Sequence, residues 1–76
     1  MKPSNIYNTK QHIGQIIREQ RIKKQITQKE LADLLNVGRQ YVWKIENGRI
    51  NLTLDYLDRI ITKLKCSNND FFKNTR

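Results

Sequence analysis

Residues 27–48, TQKELADLLNVGRQYVWKIENG, carry the strongest local constraints in the chain. Thr27 followed three residues later by Glu30 is a capping box: the hydroxyl accepts from the Glu30 N–H while the carboxylate accepts from the N–H of Thr27. That fixes a helix start. Leu31, Leu34 and Leu35 recur at helical spacing and predict an inward stripe, with Ala32 beside them where a neighbouring helix must come close. Asn36 enters a left-handed conformation cheaply and predicts the helix end. Val37 is an apolar plug for the turn, and Gly38 is an acceptable N-cap for a second helix over Arg39 to Asn47, closed by Gly48.

The second helix has two chemically distinct sides. Val42 and Ile45 lie three apart and point inward, while Arg39 and Trp43, like Gln40 and Lys44, lie four apart on the opposite side. Arg and Lys match the O6 and N7 acceptors of guanine, and Gln matches N6 and N7 of adenine bidentately. A major-groove reader offers such a face; so does a solvated helix surface, and these residues alone leave both readings standing.

Charge favours the first. The chain of 76 residues has a formal net charge of +8 and a pI near 10.0, a surplus suited to a polyanion. Residues 1–26 hold six cations against one acid, residues 27–49 four against three, and the remainder five against three. Most of the excess therefore precedes the two-helix unit, where it supplies phosphate attraction rather than base choice.

The opening T-Q-x-E-L-A and the closing E-N-G resemble the helix-turn-helix of the Cro/C1-type (XRE) family, and the likeness extends from about Ile13 to Phe72. It implies an all-α, compact five-helix domain of the lambda repressor-like type. It also implies base readers at Arg39, Gln40 and Lys44, a phosphate contact from Gln28 at a helix N-terminus, and further phosphate contacts from Arg49 and the backbone around Asn47. The matching Arg of the family pairs with the Glu of E-N-G, so an Arg21–Glu46 ion pair is expected. Asn36 stands where the family usually has Gly. Trp43 is large for a groove-facing position and has three stations open to it: a thymine methyl, the sugar-phosphate chain, or the protein's own surface.

The rest of the chain fits around this unit. Residues 1–9 read as a polar, turn-prone arm, with Ile6 and Tyr7 able to pack back and Lys2 and Lys10 able to reach the DNA backbone as arms of related repressors do. Residues 10–72 are the domain and 73–76 a tail. Helix 1 is expected from Lys10 to Lys24, capped by Thr9 or Asn8, with Ile13, Ile16 and Ile17 inward and Lys23 and Lys24 at the negative end of its dipole. Ile50 and Leu52 pack in a link, Thr53 caps a fourth helix with Asp55 in its first turn, and Leu54, Leu57, Ile60, Ile61 and Leu64 form its buried stripe. Ser67 with Asp70 reads as a second capping box opening a last short helix through Phe71 and Phe72, one Phe inward and one exposed. So small a domain buries a modest share of its surface, and dimerisation would help; Phe72 and Tyr56 are the candidate contacts.

Several chemistries find no support. One Cys, Cys66, excludes an internal disulfide framework, and the lone His12 reads as solvent-facing. No apolar run is long enough for a membrane span, so a cytoplasmic protein is expected. No nucleophile with its base or Gly-rich phosphate loop stands out, and Asp55 with Asp58 reads as a solvated face; neither an enzyme nor a cofactor is expected. The leading expectation is a homodimeric repressor reading an inverted repeat in double-stranded DNA. The run from Ile13 to Leu64, with its link carrying Asn51, Leu52, Leu54, Asp55 and Leu57, most resembles HipB-type antitoxins, which bind a kinase-like toxin and autoregulate their operon. A phage or mobile-element repressor and a restriction–modification controller are the alternatives. From another class, a protein-interaction module that has lost DNA binding would keep the same fold.

Overall fold

The computed structural model describes residues 8–73, and the expectations for Lys2, Ile6 and Tyr7 lie outside them. Five helices follow one another: α1 (Thr9–Lys23), α2 (Gln28–Leu35), α3 (Arg39–Glu46), α4 (Leu54–Lys63) and α5 (Asn68–Phe72). No strand occurs among the described residues, and their fold is all-α with five helices, as the resemblance implies. α2 and α3 pack on each other, α1 crosses α3, α4 covers α2, and α5 closes on α1.

The core draws on every helix: Ile16 and Ile17 from α1, Leu31, Ala32 and Leu35 from α2, Val42 and Ile45 from α3, Leu57, Ile60 and Ile61 from α4, and Phe71 from α5. Each of the larger of these side chains removed from water contributes about 1.5–3 kcal/mol. Phe71 is fully buried and Phe72 is 41% exposed, its ring edge-on to that of Phe71.

Two leucines depart from the expected stripes. Leu34 is 45% exposed and Leu54 is 81% exposed. Leu31 and Leu35 already span the side of α2 that meets α3 and α4, and Leu34 is rotated about 100° from Leu35. Leu54 is the first residue of α4 and projects before the helix reaches its neighbours.

Helix ends follow side-chain chemistry at the N-termini and backbone chemistry at the C-termini. Thr27 and Glu30 form the full capping box, and Thr53 Oγ1 accepts from Tyr56 N at 3.0 Å. Of the two expected caps of α1, Asn8 takes the role through a reciprocal box with Gln11, and Thr9, placed with the arm, is the first helical residue. At α5 only half of the expected box forms: Ser67 Oγ accepts from Asp70 N.

The first four helices all stop in one way. A residue with positive φ follows each: Gln25 (61°), Asn36 (61°), Gly48 (72°) and Lys65 (58°). Each N–H, and that of the next residue, bonds back into the last turn: Gln25 to Ile22 and Ile26 to Arg21; Asn36 to Asp33 and Val37 to Ala32; Gly48 to Ile45 and Arg49 to Lys44; Lys65 to Thr62 and Cys66 to Ile61. These are Schellman ends, which satisfy carbonyls that a helix otherwise leaves open. Helix 1 thus ends at Lys23, and Gln25 takes the left-handed place usually given to Gly. Cys66, half-buried, also donates its thiol to Ile61 O at 3.8 Å; burial pushes that thiol above its ordinary pKa, the nearby Lys24 opposing the rise.

Candidate nucleic-acid interface

α3 is anchored at its C-terminal end by a buried polar cluster. Arg21 Nε donates to Glu46 Oε2 at 2.7 Å and its Nη2 to Glu46 Oε1 at 3.2 Å, while its Nη1 donates to Ile26 O at 2.8 Å. The side chain of Glu46 is fully buried and that of Arg21 is 10% exposed. A bidentate guanidinium–carboxylate pair has directional as well as electrostatic content, so it holds α1 and α3 at one angle. Gln28, the first residue of α2, joins the cluster by donating Nε2–H to Glu46 Oε1 at 3.1 Å. One carboxylate therefore ties three helices together.

A second anchor is the absence of a side chain. A Cβ on Gly14 of α1 would lie 2.7 Å from Glu46 O and closer still to Ile45 O. Only glycine lets α1 lie directly on the last carbonyls of α3. Gly48 is constrained twice, by its positive φ and by the backbone of Gln11, whose N would lie 2.9 Å from an added Cβ.

The opposite side of α3 projects outward. Arg39, Gln40 and Lys44 are exposed, and Trp43 is 44% exposed. Val42, Ile45 and Glu46, which alternate with them, are buried. Arg49, just beyond the helix, sets its guanidinium 5.5 Å from the centre of the Trp43 ring system, a cation–π contact. Asn47 Nδ2 donates to Trp43 O at 2.8 Å, so Trp43, Asn47 and Arg49 form one local group. Gln28 and Arg39 meet elsewhere, on the walls of an open depression of about 640 Å³ that also includes Lys29 and Thr27. The depression lies at the N-terminus of α2, where backbone N–H groups and the helix dipole favour an anion.

Two of the expected site residues stand apart. Lys10 is exposed but lines a different groove, of about 240 Å³, beside Leu54 and Phe72. Tyr56 turns inward: its ring is edge-on to Tyr41, and its buried hydroxyl has no hydrogen-bond partner. Burial pushes its phenol above the ordinary pKa, with Tyr41 adding to the rise and Arg59 opposing it. The exposed apolar residues of that region are Leu54 and Phe72. Sequence reasoning missed Leu54, Gly14 and the inward bond of Gln28. Among the described residues no group of three His, Cys, Asp or Glu could hold a metal ion, and no helix is long and apolar enough to cross a membrane.

Comparison with known proteins agrees with this geometry. A helix-turn-helix family model matches residues 17–68. None of the curated protein sequences matches the chain. Among solved structures, the restriction–modification controller protein C.Esp1396I, crystallised as a tetramer in complex with its natural 35 base-pair operator, is 33% identical with a TM-score of 0.75; the match covers 83% of each chain. The controller C.AhdI from Aeromonas hydrophila is 32% identical with a TM-score of 0.73, over 82% of this chain and 90% of its own. The clp gene regulator ClgR from C. glutamicum shares the fold at a TM-score of 0.84 and 24% identity, over 93% of this chain and 91% of its own. With a family match over more than half its length and a two-sided α3 held at a fixed angle, the chain belongs to the XRE-type helix-turn-helix family of DNA-binding transcriptional regulators.

Proposed function

We propose that this protein is a sequence-specific repressor that binds an inverted-repeat operator as a homodimer and controls its own transcription. The carrying observation is the exposed row Arg39, Gln40, Trp43 and Lys44 on a helix whose other side is locked into the core. In this reading Arg39, Gln40 and Lys44 meet base edges. Gln28 meets a phosphate with the second N–H of the amide whose first N–H Glu46 holds. Arg49, Asn47 and Lys29 follow the backbone on either side. Lys10 has a place in this scheme only where its own groove approaches the duplex.

A second copy of the chain is the occupant we assign to the groove beside Leu54 and Phe72. An 81% exposed leucine beside a 41% exposed phenylalanine is costly to leave in water on so small a domain. The identity with C.Esp1396I, described as a tetramer on its operator, supports assembly on DNA.

For the finer role, identities of 32–33% to two restriction–modification controllers support a controller of that kind. The antitoxin reading, with a kinase-like toxin as partner, is supported by the likeness of the link over residues 49–57 to HipB-type antitoxins. The two separate on one observation: co-expression with the neighbouring gene product yields a stable complex for an antitoxin, and a methyltransferase or nuclease gene without such a complex for a controller.

The direct test is binding to the DNA upstream of the protein's own gene against a shuffled duplex, at two salt concentrations. A preference of at least about 10³-fold that survives the higher salt is expected. Equal, salt-sensitive binding to both duplexes would reduce the protein to a basic surface and sink the proposal.

A further inference from the structure

We infer that Trp43 is a specificity-determining residue that recognises the C5 methyl group of a pyrimidine, thymine in ordinary DNA, on the wall of the major groove. The inference rests on α3 being the base-reading helix, as proposed above. Its own ground is the placement of the ring. Val42 and Ile45 carry the packing of α3 and are almost wholly buried, whereas the largest apolar side chain of the helix is 44% exposed on the polar side. Trp43 has therefore not folded back into the protein.

Its neighbours on that side, Arg39, Gln40 and Lys44, provide hydrogen-bonding groups matched to donors and acceptors of bases. An indole ring offers those atoms a single donor, Nε1–H, and is otherwise an apolar surface. The C5 methyl is the apolar group that base pairs display in the major groove, and an apolar ring leaving water gains most against an apolar partner. The sugar-phosphate chain, the remaining station, is better served by Arg49. With its guanidinium 5.5 Å from the ring centre, Arg49 covers part of the ring and leaves the rest outward. The bond from Asn47 Nδ2 to Trp43 O further fixes the backbone from which the ring projects. The Arg49 contact and the fixed backbone thus restrict the ring before any DNA arrives, which lowers the ordering cost of reading a group as small as a methyl.

The test begins with an operator selected from random duplexes. Each thymine is then replaced singly by deoxyuridine, which removes the methyl and nothing else. For the wild-type protein, one replacement per half-site is expected to weaken binding about fourfold, the worth of one buried methylene-sized group. Trp43→Ala, at an exposed position and checked for an unchanged melt, is expected to bind the thymine and deoxyuridine duplexes alike. At that same position a 5-methylcytosine·guanine pair should bind wild-type protein better than cytosine·guanine, because it restores the methyl.

Indifference of the wild type to every deoxyuridine replacement, or discrimination that persists in Trp43→Ala, would overturn the inference. So would a ring that only stations Arg49: Trp43→Ala and Arg49→Ala would then lose equally on both duplexes while wild type showed no preference. Failure to select any operator would instead remove the reading of α3 itself, and this inference with it.

Discussion

Glu46 serves three donors with two oxygens. Its carboxylate accepts from Arg21 twice and from Gln28 once, fully shielded from solvent. Truncating Arg21 leaves that charge buried with only an amide beside it, so Arg21→Ala is expected to cost about 3–5 kcal/mol in denaturant unfolding. An exposed pair would cost under about 1 kcal/mol, and a loss that small would show that the pair is open to water in solution. Tyr56 gives the opposite sign. Its buried hydroxyl lacks a partner, and leaving such a group unsatisfied costs about 1–3 kcal/mol. Tyr56→Phe should therefore raise the unfolding midpoint; a lowered midpoint would mean the hydroxyl finds a partner in solution. The pairing of Arg21 with Glu46 was suggested by family likeness rather than by spacing, since twenty-five residues separate the two. The bond from Gln28 had no sequence signal, because it requires the C-terminus of α3 to meet the N-terminus of α2.

At the scale of elements, the helix starts were legible in sequence because a cap is a local bargain between a side chain and an N–H three residues on. Thr27, Thr53 and Ser67 all cap as their spacing implied. Helix stops were legible only where Asn36 and Gly48 marked them. Gln25 and Lys65 occupy the same left-handed place without a marker, held there by packing of the residues that follow. Such places favour glycine, and a side chain in one is under strain. Gln25→Gly and Lys65→Gly are therefore expected to stabilise the protein by about 0.5–1 kcal/mol each, read as a rise in urea midpoint with unchanged slope. A fall would show that the backbone strain is smaller than the entropy that glycine adds to the unfolded chain. Stripes were the least reliable guide. Helical periodicity places Leu34 and Leu54 on the margin of an apolar side, and only the positions of neighbouring helices decide whether a margin is covered. A glycine inside a helix is ordinarily a weakness; in three dimensions Gly14 is a point of close approach between α1 and the end of α3.

In the proposed function of the whole molecule, the surplus of positive charge and the apolar groove meet different partners. The groove beside Leu54 and Phe72 should govern self-association: Leu54→Glu is expected to shift the protein to monomer in sedimentation equilibrium, while its melt, compared with wild type at a concentration where both are monomeric, changes by less than about 0.5 kcal/mol, since the residue is exposed. A dimer that survives this change would place the contact on another surface. The separation of duties goes deepest in α3, an eight-residue helix. Positions 42, 45 and 46 answer to the core, whereas positions 39, 40, 43 and 44 answer to whatever lies outside. In the proposed reading of α3, heritable change at the second set redirects the protein to a new target without touching the angle that Gly14, Arg21 and Glu46 impose. A lineage built on this scaffold can therefore diverge in address while its architecture stays still.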